Sequence, residues 1–442
     1  MKKMILLVFI FICAAAQKTY IYSEGQTTGS INELTLDGAV EIALENNSDW
    51  KIAQENKANA FLQKRKNQAS LFPSLNIGSS YLRRGQENGS PGIVSSGVVS
   101  STRETYSNSL SLSQNIFNRR VYLLVSQAGL SASQTRFIDS KVKHEIVLAV
   151  KTAYYNILKL QSKFEFYKES FARDKEQLKY SKDLLEVGKA IKTDVLRSEI
   201  TLEKTRQNLN TAQNDLKSAK MVLNNLLNIP LASDFQYTAR ESIDEGIKKI
   251  LAERFILEEY TSRTLQNNYQ LKIKDYDREI SDVNIEIART GYLPAVTGSG
   301  SYNWNDSKPE LKNMEWRVGM NLTWTVFDAG LTRASIRQAE TSKNRIEEER
   351  RKIEKEILLN IEKIHNDLDN LRTSLEINKK NLDMASENYD IVKIQYQNGL
   401  VSNLNLIDAE VIYTESKINL LDAYYNYKIK LAEWEEAVGE EI

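Results

Sequence analysis

The 442 residues balance 59 lysines and arginines against 59 aspartates and glutamates, and they include only 18 glycines and 5 prolines. Zero net charge removes the basic footprint of a nucleic-acid binder, so no nucleic acid is expected as a partner. Scarce glycine and proline beside 27% charged residues exclude the profile of a compact α/β enzyme and point to long polar helices.

The chain opens with Lys2-Lys3, an apolar run from Met4 to Cys13, and Ala14-Ala15-Ala16. This is the layout of a cleaved secretory signal over residues 1–16, leaving Gln17 first. The alternative, a retained N-terminal anchor, suffers from a run too short to span a bilayer as a helix. Ile12 stands where a lipoprotein cysteine would have a small residue, so Cys13 is read as part of the signal. Its removal leaves no cysteine, hence no disulfide and no thiolate metal site.

The segment Leu44 to Tyr81 lies over Leu265 to Tyr302 without a gap, and Pro73 and Pro294 share that offset of 221 residues. Phe117 then matches Phe327, and Gly188 matches Gly399, at offsets of 210 and 211. One unit is therefore repeated. The first repeat is read as 17–230, with a β-hairpin at about 74–117 and a helical hairpin at about 118–229. A linker at 231–249 leads to a second repeat at 250–442, with a β-hairpin at about 295–327 and a helical hairpin at about 328–438.

Within the β-hairpins the period is two. Val296, Gly298, Gly300, Tyr302 and Trp304 alternate with Thr297, Ser299, Ser301 and Asn303, while Trp316, Val318, Met320, Leu322, Trp324 and Val326 alternate with Arg317, Gly319, Asn321, Thr323 and Thr325. The first half matches, with Leu75, Ile77 and Tyr81 on one strand and Tyr106, Leu110, Leu112 and Ile116 against a serine-rich face on the next. One apolar face and one small polar face describe strands between oil and water. Tyr302, Trp304, Trp316, Val318, Leu322 and Trp324 are expected to face lipid, and Asn321, Thr323 and Ser299 to face water. From Trp316 to Trp324 a tilted strand rises about 20 Å, close to the height of an outer-membrane apolar band. Four strands cannot close a barrel and open edges are not tolerated in lipid, so the barrel must be shared, with three chains giving twelve strands.

No proline interrupts the helical hairpins. Ile146, Val150, Ala153, Ile157, Leu160, Phe164, Tyr167, Phe171, Leu178 and Leu185 form a coiled-coil seam in the first, and Ile357, Ile364, Leu368, Leu371, Leu375, Leu382, Ala385, Tyr389, Val392 and Tyr396 form its counterpart. Each seam ends at a glycine suited to a left-handed helix terminus, Gly188 or Gly399. Thr193 and Asp194, or Ser402 and Asn403, can cap the returning helix.

No enzyme site emerges. "GKAIKTD" lacks phosphate-loop spacing, His144 and His365 sit singly among charged residues and read as solvated, and "EEERRKIEKE" (Glu347 to Glu356) reads as a solvated face. No catalytic residue, cofactor or metal is expected.

The signal, the duplicated helix, β-hairpin and helical-hairpin units, the opening "LTLDGAVEIALENN" and the "VGKAIKTDVL" turn together resemble the TolC-like outer membrane efflux protein family, from about Leu34 to Val438. The resemblance implies a mainly α fold with a small membrane β part: a trimeric 12-stranded β-barrel continued by an α-helical barrel. It implies the outer membrane as location, with the helical tunnel in the periplasm. Members are passive exit ducts of tripartite efflux pumps or type I secretion systems, so the implied partners are two further copies of the chain, a periplasmic adaptor, an inner-membrane pump or ABC-type exporter, and outer-membrane lipid. At the periplasmic gate the family pattern is matched by Tyr396 and Asp408, while Val401 and Asn405 replace its charged residues; Thr193 and Asp194 are the implied partners across the gate. The tips that would dock an adaptor are Val187 and Gly188 with Asn398, Gly399 and Leu400. A secreted or periplasmic coiled-coil scaffold without channel activity is the alternative, and it leaves the two Trp-bearing hairpins unexplained.

Overall fold

The computed structural model describes residues 33–87, 100–254, 257–308 and 314–439. The expected signal at 1–16, with Cys13, and Gln17 lie outside them. Strand β1 (Glu33–Leu34) leads to α1 (Leu36–Asn46), α2 (Ser48–Ala69), the hairpin β2 (Ser74–Glu87) and β3 (Ser100–Phe117), then α3 (Arg119–Glu186) and α4 (Lys192–Leu226). After β4 (Gln236–Tyr237) and α5 (Ile243–Ala252) the order recurs as α6 (Leu257–Asn267), α7 (Tyr269–Arg289), β5 (Ala295–Asp306), β6 (Met314–Thr323), α8 (Leu331–Gln397) and α9 (Asn403–Val438). The stretch read as a linker at 231–249 thus contains a strand and most of a helix. Helices α3 and α8 hold 68 and 67 residues, each about 100 Å long.

The repetition reaches individual hydrogen bonds. Asn47 Oδ1 accepts from Asp49 N and Trp50 N at 2.8 and 3.2 Å to start α2, and Asn268 Oδ1 accepts from Gln270 N and Leu271 N at 2.9 and 3.3 Å to start α7. A side-chain acceptor satisfies amides that the first helical turn leaves unpaired. At the opposite end, Gly188 and Gly399 have φ of 76° and 73°. Lys189 N bonds Leu184 O and Gly188 N bonds Leu185 O, at 2.8 and 3.0 Å; Leu400 N bonds Gln395 O and Gly399 N bonds Tyr396 O, at 2.9 and 3.0 Å. Both turns are the same glycine-terminated helix end.

The four long strands form one antiparallel sheet in the order β2-β3-β5-β6, so the two repeats join through β3 and β5. A second sheet pairs β1 with β4 in parallel. Around it lies the main core, where Leu34, Tyr154, Ile157, Leu223, Ile250, Ile361, Leu375 and Trp434 are fully buried.

Most of the α8 seam is seen as expected, with Ile357, Ile364, Leu368, Leu375, Leu382, Ala385, Tyr389 and Tyr396 buried and Ile361 added, while Leu371 and Val392 are half-buried. The α3 seam departs. Ala153, Leu160, Phe164, Tyr167 and Phe171 are half-buried and Leu185 is exposed, while the buried line below Ile157 runs through Phe166, Ser170, Asp174, Leu178 and Ser181. The reason is contact on several sides: α3 packs against α1, α2, α4, α7 and α9, so one apolar stripe cannot mark its interior. Both histidines also depart from the solvated reading. His144 is buried with its Nε2 3.2 Å from the Tyr269 hydroxyl, and half-buried His365 lies 6.0 Å from the Trp434 ring.

The Tyr154 hydroxyl fastens the small sheet to α3, standing 2.7 Å from Leu34 O and 2.8 Å from Thr238 O. Tyr154→Phe leaves these buried carbonyls short of a donor, at roughly 1–3 kcal/mol. The expected result is faster limited trypsin cleavage at Arg240 with α3 and α8 equally resistant, measured by peptide mapping.

Candidate functional site

The sheet sorts its residues by face. Leu75, Leu112, Gly300 and Val318 form one cross-strand row, and Ile77, Leu110, Tyr302 and Trp316 the next. The interleaved rows are Asn76, Ser111, Ser301 and Arg317, then Gly78, Ser109, Asn303 and Glu315. Side chains alternate along each strand, so the first set shares one face and the second the other. The apolar face is bare: Trp316 is 71% exposed and Val318 80%. On the polar face Arg317 and Glu315 pair at 2.7 Å.

Two expectations about this face need correction. Trp324 lies beyond the end of β6 at Thr323; its indole Nε1 donates to Tyr292 O at 3.1 Å, anchoring the ring beside the helix-to-strand junction. The hairpin expected to run to 327 therefore ends earlier. Leu322 stands next to the end of β6, paired with Val296, so Val318 is the mid-strand apolar position. Ile116 falls in a register shift between Asn115 and Phe117, where the simple alternation breaks. Tyr302 and Trp304 sit on the apolar face, with rings 4.8 Å apart. Asn321, Thr323 and Ser299 fall on the polar side of the pairing.

At the far end of the helices, the tip residues Val187 and Leu400 are 67% and 74% exposed. Nothing lies within 4 Å of a Cβ built on Gly188 or Gly399. Among the expected gate residues, Tyr396 is buried, its ring 5.8 Å from Tyr180 in an edge-on contact. Asn405 does not reach another hairpin: its Oδ1 accepts from Ser402 N at 3.3 Å and from Ser402 Oγ, closing a capping box on its own helix. Asp194 likewise turns back to Ile191 N at 3.5 Å, and Thr193 and Asp408 are exposed. The side chain that joins the hairpins here is Asn403, expected only as a cap. Its Nδ2 donates to Asp194 O and Ser198 Oγ at 3.0 and 3.1 Å, and its Oδ1 accepts from Gln177 at 3.2 Å. A polar residue at a helix start reads as a cap in sequence; only its burial shows the other role.

About two turns into α9 lies a buried charged cluster. Glu410 faces Arg173 at 3.6 Å, within ion-pair range but too long for a hydrogen bond, which leaves Glu410 Oε1 and Arg173 Nε unsatisfied. Arg173 also donates to Ser170 Oγ at 2.7 Å and lies over the rings of Phe166 and Tyr413 at 5.6 and 5.8 Å. Asp174 lies against Glu410 and Thr205, and Tyr389 stacks on Tyr413 at 5.5 Å. Burial, then the neighbouring Asp174, pushes the Glu410 carboxyl up to about 7, with Arg173 opposing. Burial raises Asp174 as well. The pair thus holds a proton that two exposed carboxylates would release.

Comparison with known proteins agrees with the geometry. Residues 39–228 and 261–440 match the outer membrane efflux protein family, the two matched stretches falling one in each repeat. Outer membrane protein TolC of Vibrio cholerae is 21% identical over 406 residues, spanning 90% of this chain and 89% of that protein. The Campylobacter jejuni CmeC outer membrane channel superposes with a TM-score of 0.78 at 17% identity, over 91% of this chain and 85% of that one. The open state of the Neisseria gonorrhoeae MtrE outer membrane channel does so with a TM-score of 0.75 at 17% identity, over 91% and 88%.

Two outcomes follow. Val318→Arg, at mid-strand on the apolar face, should lower stability in lipid by about 2–4 kcal/mol, whereas Ser301→Arg on the polar face should be mild; equilibrium unfolding from lipid vesicles checks both. For the buried cluster, raised carboxyl pKa values stabilise the packed helices fully below about pH 4.5, and that stability is lost as pH rises through about 7. Amide protection near Glu410, taken relative to the intrinsic base-catalysed exchange rate at each pH, should therefore fall between pH 5.5 and 8 in the parent, and Glu410→Gln should flatten that fall.

Proposed function

The chain belongs to the outer membrane efflux protein family, passive and non-enzymatic outer-membrane exit ducts, and on that premise we propose that three copies close one channel-tunnel serving a tripartite efflux pump or a type I secretion system. The observation that carries the trimer is the four-stranded sheet, whose edge strands β2 and β6 have no further partner among the described residues and whose apolar face is uncovered. Three such sheets paired edge to edge give twelve strands, an even number within the known range of barrels. Among the described residues no helix is long and apolar enough to cross a membrane.

The long helices support the same assembly. On α8, Ile377, Met384 and Ile391 are exposed one heptad apart, and Leu196 and Ile200 are exposed one turn apart on α4. Such rows form a seam when a neighbouring helix covers them. In the trimer these rows pack between protomers and close a helical tunnel that continues the barrel into the periplasm. The coiled-coil scaffold reading accounts for these rows but leaves the bare apolar sheet face without a role.

At the periplasmic end the turns at Gly188 and Gly399 meet the adaptor, and the inner-membrane transporter supplies cargo and energy. Val187, Asn398 and Leu400 are exposed beside these glycines, where two equivalent tips per protomer offer six docking points per trimer. Gating falls to groups that link the hairpins, with Tyr396, Asn403 and the Arg173, Asp174 and Glu410 cluster as holding points and Asp408 as an exposed charge at the mouth.

The trimer is tested by mass measurement of detergent-extracted protein, which should give three chains. A stable water-soluble monomer would sink the reading. For the tips, valine at both Gly188 and Gly399 strains a positive-φ turn by about 1–2 kcal/mol per site. Export should fall while outer-membrane insertion, followed by membrane fractionation, stays at the parental level.

A further inference from the structure

The polar face of the sheet is neutral along most of its height and basic at its top. Arg84 of β2 is the register partner of Arg103 of β3, so two guanidinium groups stand opposite one another on that face. Like charges directly across a strand pair are destabilising. Both are exposed, and neither has an ion-pair partner among the described residues. By contrast Arg83, on the opposite face, lies 3.8 Å from Glu104. The pairing of β3 with β5 ends at Tyr106 and Asp306, so Arg103 and Arg84 rise beyond the last paired residues of β5, three register pairs short of Glu87 and Ser100.

Charge is divided by facing. Of the other polar-face residues, those of β5 are Ala295, Thr297, Ser299, Ser301, Asn303 and Asn305, all uncharged, and on β6 Glu315 and Arg317 neutralise each other at 2.7 Å. Toward the same end the apolar face carries Arg83, Glu104 and Asp306. An arginine pair kept apart from these acids, at a cost to the isolated hairpin, needs an external anion to offset its charge.

We propose that Arg84 and Arg103 form an anion-collecting collar on the lumen wall at the outer mouth, which favours the exit of carboxylate-, phosphate- or sulfonate-bearing cargo. The inference rests on the trimeric duct reading, which turns the polar face inward and brings three arginine pairs into one ring. A planar guanidinium presents a fork of donors matched to carboxylate and phosphate oxygens, and a ring of one sign raises the local concentration of the opposite ion.

The test uses the purified full chain in a bilayer of neutral phosphatidylcholine, free of lipopolysaccharide, so that lipid anions do not occupy the collar. The anion-to-cation permeability ratio is read from reversal potentials in potassium chloride gradients. At about 10 mM salt, where charges act over about 30 Å, Arg84→Ser with Arg103→Ser should lower the ratio at least about twofold; at about 1 M, where the range is about 3 Å, it should not. Lysine at both positions should keep the parental ratio, and Arg83→Ser should leave it unchanged. Parental selectivity in the double serine variant at low salt overturns the collar and leaves the duct standing, and an Arg83→Ser effect of equal size overturns the inward facing. A parent protein that forms no channel overturns the duct reading and the collar together.

Discussion

The sheet has nowhere to end. Pairing stops at β2 on one side and β6 on the other, and hydrocarbon offers no hydrogen bonds to the edge amides and carbonyls left over. A soluble sheet could hydrate these edges, but this one also carries an uncovered apolar face from Leu75 to Val318, which favours lipid. The proposed closure with other copies meets the two demands together. In the proposed trimer this closure makes the polar face the lumen wall, sets the helices attached to each strand end side by side, and gives the exposed heptad row of α8 a neighbour.

Within one protomer the two repeats are bound by different physics at different heights. Near the small sheet the contact is apolar, with Tyr154, Ile157, Leu375, Tyr427 and Trp434 fully buried. Along the facing helices α3 and α9 it becomes a ladder of polar rungs: Lys151 to Glu435 at 2.7 Å, Lys163 to Asp422 at 2.7 Å, Arg173 to Glu410 at 3.6 Å, and Gln177 to Asn403 at 3.2 Å. The first two are partly exposed and fully paired. The third has its carboxylate, Glu410, buried and is incompletely paired, which makes it the weakest rung, because a buried charge short of partners keeps its desolvation cost.

Much of this was legible in the sequence where a single period governed a single environment. Strand alternation gave the sheet faces from Val296 to Leu322, and glycine at 188 and 399 gave the positive-φ turns. The α8 seam was legible because that helix buries one stripe; the α3 seam was not, because five helices surround α3 and its lower interior is Ser170, Asp174 and Ser181. Trp324 was read one element too far because alternation of residue types continues past Thr323 while backbone pairing does not. The expected gate was the least legible part. Asn405 and Asp194 have the residue types of cross-hairpin partners, yet helix starts demand the same groups for capping, and that local demand takes them first. Asn403 carries the longer-range link because its side chain is buried between α4 and α3 rather than turned to its own first turn.

The decline from apolar core to polar rungs gives the proposed duct a graded stability along its length. Buried apolar area stabilises a contact in proportion to its extent, so separating α3 from α9 around Ile157 exposes surface that nothing in water replaces. Near Glu410 and Asn403 the groups exposed are charged or amide-bearing, and water can satisfy each of them. Separation there costs least, and hydrated Glu410 and Asp174 release the proton they share. Movement of the tips can therefore proceed while the core around Trp434 stays packed, with β1 and β4 held to α3 by Tyr154. A long helix that is fixed at one height and hydrated at another bends or splays at the hydrated end. In the proposed duct the unsatisfied Arg173 and Glu410 atoms mark the height at which the packed helices part most readily.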